Sequence, residues 1–129
     1  MEIAVQKTKG QLEREISQRI RTLYKKCLGH KLSQANCQLF DSKIAIVLED
    51  SVTQPEKFLV GEGETELIEE VHDNLGQSIY PQIKTLIEEI LGVKVLDLLS
   101  DVTLETERTG IIVILDKAPS IRSKESDRS

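Results

Sequence analysis

Two histidines, two cysteines and a scatter of acids are the residues of this chain whose side chains could do chemistry. His30 falls in a polar connector and His72 on the polar edge of a helix pattern. Neither has a nucleophile and an orienting group at catalytic spacing, so both are expected at the surface. Cys27 and Cys37 form no Cys-x-x-Cys and have no histidine cluster nearby. The expectation is therefore two small buried apolar side chains in a cytosolic protein, not a metal or redox pair. Asp97 and Asp101 interrupt an apolar strand pattern, and such acids act as ligands or general acids and bases when they face a cleft. Evenly spaced polar residues are also simply the wet side of an antiparallel sheet, the commoner case. Glu105, Glu107 and Asp116 could gather a cation with Asp101, but the ligand spacing of a calcium loop is missing. Gly61-Glu-Gly63 before a helix could nest an anion. Glu62, Glu64 and Glu66 would repel one, so the stretch reads as an acidic connector.

The element that must position the rest is the amphipathic run from Glu64 to Leu91, closed by Gly92. Its apolar positions Ile68, Val71, Leu75, Ile79, Ile83, Leu86 and Ile90 recur at a helix period. Twenty-eight residues of helix would span roughly 42 Å, and Pro81 lies inside. The pattern predicts a long kinked main helix, or two helices meeting near Tyr80-Pro81. Upstream, Leu12, Ile16, Ile20, Leu23 and Cys27 mark a first helix stopped at Gly29, with Arg14, Arg19, Arg21, Lys25 and Lys26 on its polar face. Asn36–Phe40 and Lys43–Leu48 read as a hairpin turning at Asp41-Ser42. Thr53, Pro55 and Glu56 then carry a helix start with capping-box spacing. Val93 to about Leu104 and Ile111–Leu115 read as two more strands around a turn at Glu105–Gly110. Ile111–Leu115, continuously apolar, belongs in the middle of the sheet.

The resulting order is α-β-β-α-α-β-β, an α+β fold with a single antiparallel four-stranded sheet and helices packed on one face. Residues 1–9 are expected to be a flexible N-terminus, 10–116 a single domain and 117–129 a disordered tail. A domain of this length buries about two-thirds of the surface its unfolded chain exposes. With a net charge of −5 and only Phe40, Phe58, Tyr24 and Tyr80 as aromatics, nucleic acid is not an expected partner. No apolar stretch is long enough for a membrane span, so no direct membrane insertion is expected. Charge is polarised: residues 1–43 carry nine Lys/Arg against four acids, and residues 44–116 four against sixteen. Solvated faces explain most such runs, and docking of an oppositely charged partner is the functional alternative.

Gly10-Gln-Leu12, Leu23-Tyr-Lys25 followed by Gly29, Val47–Leu59, Leu91–Val95, Ser100-Asp101 and Val113–Asp116 together resemble a small bacterial family of domains of unknown function. That family is described as the C component of a sodium-translocating, membrane-potential-generating system. The resemblance runs over residues 8 to 117. One departure is Gly29-His-Lys-Leu32, where relatives often carry a Gly-x-Gly-Pro turn. The resemblance implies an accessory protein linked to a membrane complex for cation or inorganic-carbon transport, and it implies no catalytic residues.

The expected function is therefore a non-enzymatic, cytoplasmic accessory or regulatory module with no cofactor and no metal. It is expected to form a homodimer and to meet a membrane transport complex through a partner protein. A splayed main helix would leave Ile79, Tyr80, Ile83 and Ile87 bare as a partner surface, with Arg19 and Arg21 as a second one. The alternative is a small-molecule or ion sensor with a pocket between sheet and helices near Asp101 and Arg108.

Overall fold

The computed structural model describes residues 7–63 and 65–122; residues 1–6, Glu64 and 123–129 lie outside the described residues. Helix α1 spans Lys9–Leu28. Thr8 and Gln11 close its start as a capping box, with Gln11 N donating to Thr8 Oγ1 over 3.2 Å and Thr8 N donating to Gln11 Oε1 over 2.8 Å. Gly29, at φ 61°, ends it: the Gly29 and His30 amides donate to Lys25 O and Tyr24 O. That is a left-handed cap, which a side chain at 29 would strain.

Strands β1 (Gln34–Phe40) and β2 (Lys43–Glu49) form the expected hairpin at Asp41-Ser42. Helix α2 is Gln54–Gly61 and α3 is Thr65–Leu91, one continuous helix with Pro81 inside. Of the two readings of Pro81, the single helix is the one adopted. Strands β3 (Val95–Thr103) and β4 (Arg108–Leu115) close the chain. The second turn is shorter than expected, because Arg108, Thr109 and Gly110 pair within β4 instead of turning.

All four strands lie in one antiparallel sheet of order β1-β2-β4-β3. The two most apolar strands are thus the central pair, as expected. Leu12, Ile16, Ile20 and Tyr24 of α1 and Ile79, Ile83, Leu86, Ile87 and Leu91 of α3 pack on Cys37, Leu39, Ile44, Ile46, Leu48, Ile111, Val113 and Leu115 of the sheet. Ile16, Ile20, Ile44, Ile83, Ile87 and Ile111 are fully buried, each stabilising the fold by about 1.5–3 kcal/mol relative to exposure. Carboxylates of the helices reach the outer strands: Glu13 Oε2 accepts from Leu39 N at 2.7 Å and Glu88 Oε2 from Val95 N at 2.9 Å.

The first and last described residues meet. Arg122 N donates to Lys7 O over 2.9 Å, and Thr8 bridges Arg122 in parallel. Residues 7–9 and 117–122, assigned by sequence to a fraying start and a tail, thus include paired backbone.

Candidate functional site

Asp101 and Arg108 do not form a pocket with the helices. In the register Asp101 lies opposite Gly110 and Thr103 opposite Arg108, and this alternation directs both side chains to the sheet face away from the helices. Asp101 Oδ1 accepts from the neighbouring Val102 N at 2.8 Å, and Arg108 Nε donates to Glu49 Oε1 at 3.1 Å. Neither side chain therefore faces the space between sheet and helices where the sensor pocket is expected. Asp97 shares the same outward face, opposite Ile114. The grouping of Asp101, Glu105, Glu107 and Asp116 is not assembled either; among the described residues no three of His, Cys, Asp and Glu stand close enough to hold a metal ion.

The apolar partner surface proposed for the main helix is core. Ile79, Ile83 and Ile87 are at most 2% exposed and Tyr80 is half-buried. The reason is that α1 and the underside of the sheet together cover the C-terminal part of α3. The side chains of Ile68, His72 and Leu75 lie outside the described residues. Cys27 is exposed, against expectation; in the last turn of α1 its Sγ accepts from Nε2 of Gln82 of α3 over 3.6 Å. Cys37 is buried, and burial followed by the nearby Glu13 carboxylate pushes its thiol up to about 12.

Beneath α2 lies a buried polar group that sequence reasoning missed. It gathers Tyr24 from α1, Ser51 and Thr53 from the β2–α2 loop, Glu56 from α2, Tyr80 from α3 and Thr109 from β4. Glu56 is only 2% exposed. Its Oε1 accepts from both Thr53 N and Thr53 Oγ1 at 3.0 Å, the reach-back half of the capping box turned into a core contact. Ser51 and Thr109 hydroxyls share a bond of 2.7 Å. Gly76 allows the Tyr80 ring to lie close across α3; a Cβ there would meet Tyr80 Cε2 at 3.0 Å. Burial, then the Tyr80 and Glu56 charges, raises the Tyr24 phenol; burial also raises Tyr80, opposed by its hydrogen bond with Ser100. The space inside is about 10 Å³, room for one water and no substrate. Thr53-x-x-Glu56 was legible as a cap, but its burial was not. At the rim, Lys57 Nζ stands 3.1 Å from Glu107 Oε1. That oxygen has no aligned hydrogen-bond donor, and the short separation from the Lys57 charge compensates it.

The open depressions lie on α1. Arg21, Thr22, Lys25 and Lys26 of α1, with Lys31 and the buried Leu32 of the following connector, line one of about 370 Å³. The i, i+4 pairs Arg21/Lys25 and Thr22/Lys26 make two adjacent ridges, and the turn at Gly29 brings Lys31 back beside them. None of these four cations has an ion-pair partner among the described residues. A second depression of about 350 Å³ adjoins it at Thr22 and Lys26 and is bridged by Arg19 and Glu89, 2.9 Å apart. Arg19 and Arg21 thus differ: the first ties α1 to α3, and the second is free to meet a ligand.

The chain belongs to the MpsC family, the Na+-translocating membrane potential-generating system (MpsC), whose family model matches residues 8–117. Comparison with curated proteins and with solved structures finds no match to the chain. No helix among the described residues is long and apolar enough to cross a membrane.

Proposed function

We propose that this chain is a non-enzymatic accessory module of a Na+-translocating membrane-potential-generating system, acting in the cytoplasm and reaching the membrane complex through a partner protein. The observation that carries this reading is the basic ridge of Arg21, Lys25, Lys26 and Lys31 on a chain of net charge −5. Four cations without counter-charges repel one another, and the α1 carbonyl end offsets that only within its last turn. An acidic segment of a partner would relieve the repulsion, and Thr22 and Leu32 offer it a less polar floor. Membership of the family supplies the setting. A self-associated dimer belongs to this reading, although Ile79, Ile83 and Ile87 of α3 are too deeply buried to be its contact.

The test is retention of the protein on membranes that hold the integral components of the system, for wild type and for an Arg21→Glu/Lys25→Glu variant. Both side chains are exposed, so the variant is expected to keep its circular dichroism and lose at least tenfold in retention. Equal retention of a folded variant would remove the basic ridge from the interaction.

A further inference from the structure

Among the described residues the helices cover one face of the sheet and leave the other bare. The register fixes which side chains share it: one row across the strands is Phe40, Lys43, Ile114 and Asp97; the next is Gln38, Ala45, Ile112 and Leu99. Then come Asn36, Val47, Gly110 and Asp101, and last Gln34, Glu49, Arg108 and Thr103. Phe40, Val47, Leu99 and Ile112 are 40–60% exposed on this face, with Val47 and Ile112 on the two central strands, Leu99 on the β3 edge and Phe40 at the β1 corner. A patch of that kind on the broad side of a sheet marks a contact surface.

We propose that this face binds a second copy of the same chain, forming a two-fold dimer in which the two sheets stack. It specifies the surface for the dimer in the function proposed above and is independent of the basic ridge, which lies on the helical side.

The case is self-complementarity. Stacked sheets align within about 30°, so the two-fold axis runs either along or across the strands, between the central pair. Across them, Ile112 of one copy stands over Gly110 of the other, and Val47 over Ala45. Along them, Val47 stands over Gly110 and Ile112 over Ala45. Either way a large side chain meets a small one or none, and a Cβ at Gly110 would meet nothing within 4 Å, so the notch is open.

Charges agree with sizes. The axis across the strands sets Lys43 over Glu49, and the axis along them sets Glu49 over Arg108. Neither sets like charge over like. The seven-residue register that the four strands share presents roughly 400 Å² per copy at standard strand spacings, about half a standard interface side and in the range of weak, transient contacts. A reversible dimer is expected, not an obligate one.

The experiment is solution mass by light scattering over a concentration series reaching the high micromolar range, with circular dichroism as the folding control. Gly110→Val fills the notch on the bare face without touching the core, and Ile112→Asp charges its centre. Wild type is expected to approach twice the monomer mass, and both variants to stay folded at half of that. A monomeric wild type overturns the proposal, as does a dimer that survives Gly110→Val. If Ile112→Asp fails to fold, Gly110→Val alone decides. Because this assay contains no membrane component, loss of the dimer and loss of ridge docking are separate outcomes.

Discussion

Cys37 shows how one side chain reports on the core. It points from β1 into the layer between sheet and α1, where burial raises its thiol from 9.0 to about 12. A group whose neutral form is favoured in the fold binds its proton more tightly there than in the unfolded chain. Above pH 9 the unfolded chain releases that proton and the native one keeps it, so stability falls as pH rises. Above pH 10 Tyr24 joins, as its phenol is raised by the same burial. The slope for Cys37 is bounded by about 1.4 kcal/mol per pH unit. Urea midpoints taken from pH 8 to 10 should fall in wild type and fall less in Cys37→Ala; parallel curves would show that this thiol is not shielded. Glu56 and Thr53 are the opposite case, a polar pair that the core accepts because the carboxylate is given two donors.

Helix α3 is the element whose periodicity was plain and whose exposure was not. Pro81 cannot donate to Gln77 O, and its ring crowds the preceding turn, yet the helix runs on from Thr65 to Leu91. Continuation is supported on both sides of the defect. Gln82 Nε2 donates to Ser78 O and Thr85 Oγ1 to Pro81 O, each at 3.0 Å, while Ile79, Ile83 and Ile87 are held in the core. Because position 81 is exposed, Pro81→Ala loses no packing and regains one backbone bond. We expect a gain of about 1–3 kcal/mol in urea unfolding, reduced by the greater freedom that alanine gives the unfolded chain. An unchanged or lower stability would mean that the proline conformation is one the fold requires.

At the scale of the whole molecule the two faces separate two kinds of contact. The helical side carries the unpaired cations, and the bare sheet side carries the apolar patch. Salt should therefore act on them differently. Between low and high ionic strength, retention through Arg21, Lys25, Lys26 and Lys31 is expected to fall severalfold as exposed charges are screened. Self-association through Val47 and Ile112 is expected to hold or strengthen, since apolar burial does not weaken with added salt. The same titration followed by membrane retention and by solution mass checks both; parallel loss of the two would argue that one surface serves both contacts.

What the sequence determined by itself was local or periodic. Leu12-Ile16-Ile20 and Ile79-Ile83-Leu86 place their helices by a 3.6-residue repeat, Asp41-Ser42 places the hairpin, and the apolar weight of β2 and β4 places them at the sheet centre. Residues 8–117 also sufficed to place the chain in its family. What only the tertiary structure decided was which of two faces each side chain meets. Asp101 is read in a strand and lies in one, and Arg108 is read in the turn but joins β4; alternation turns both from the helices. Cys27 keeps the helix period of its neighbours, yet in the last turn of α1 it meets the polar Gln82 of α3 and stays exposed. Ile111–Leu115 reads as a central strand and is one, but with helices on one face alone, Ile112 is left exposed. Glu56 reads as a cap and becomes core. A period along the chain fixes the direction of a side chain relative to its neighbours, whereas burial depends on what another part of the chain lays over it, and that is a long-range fact.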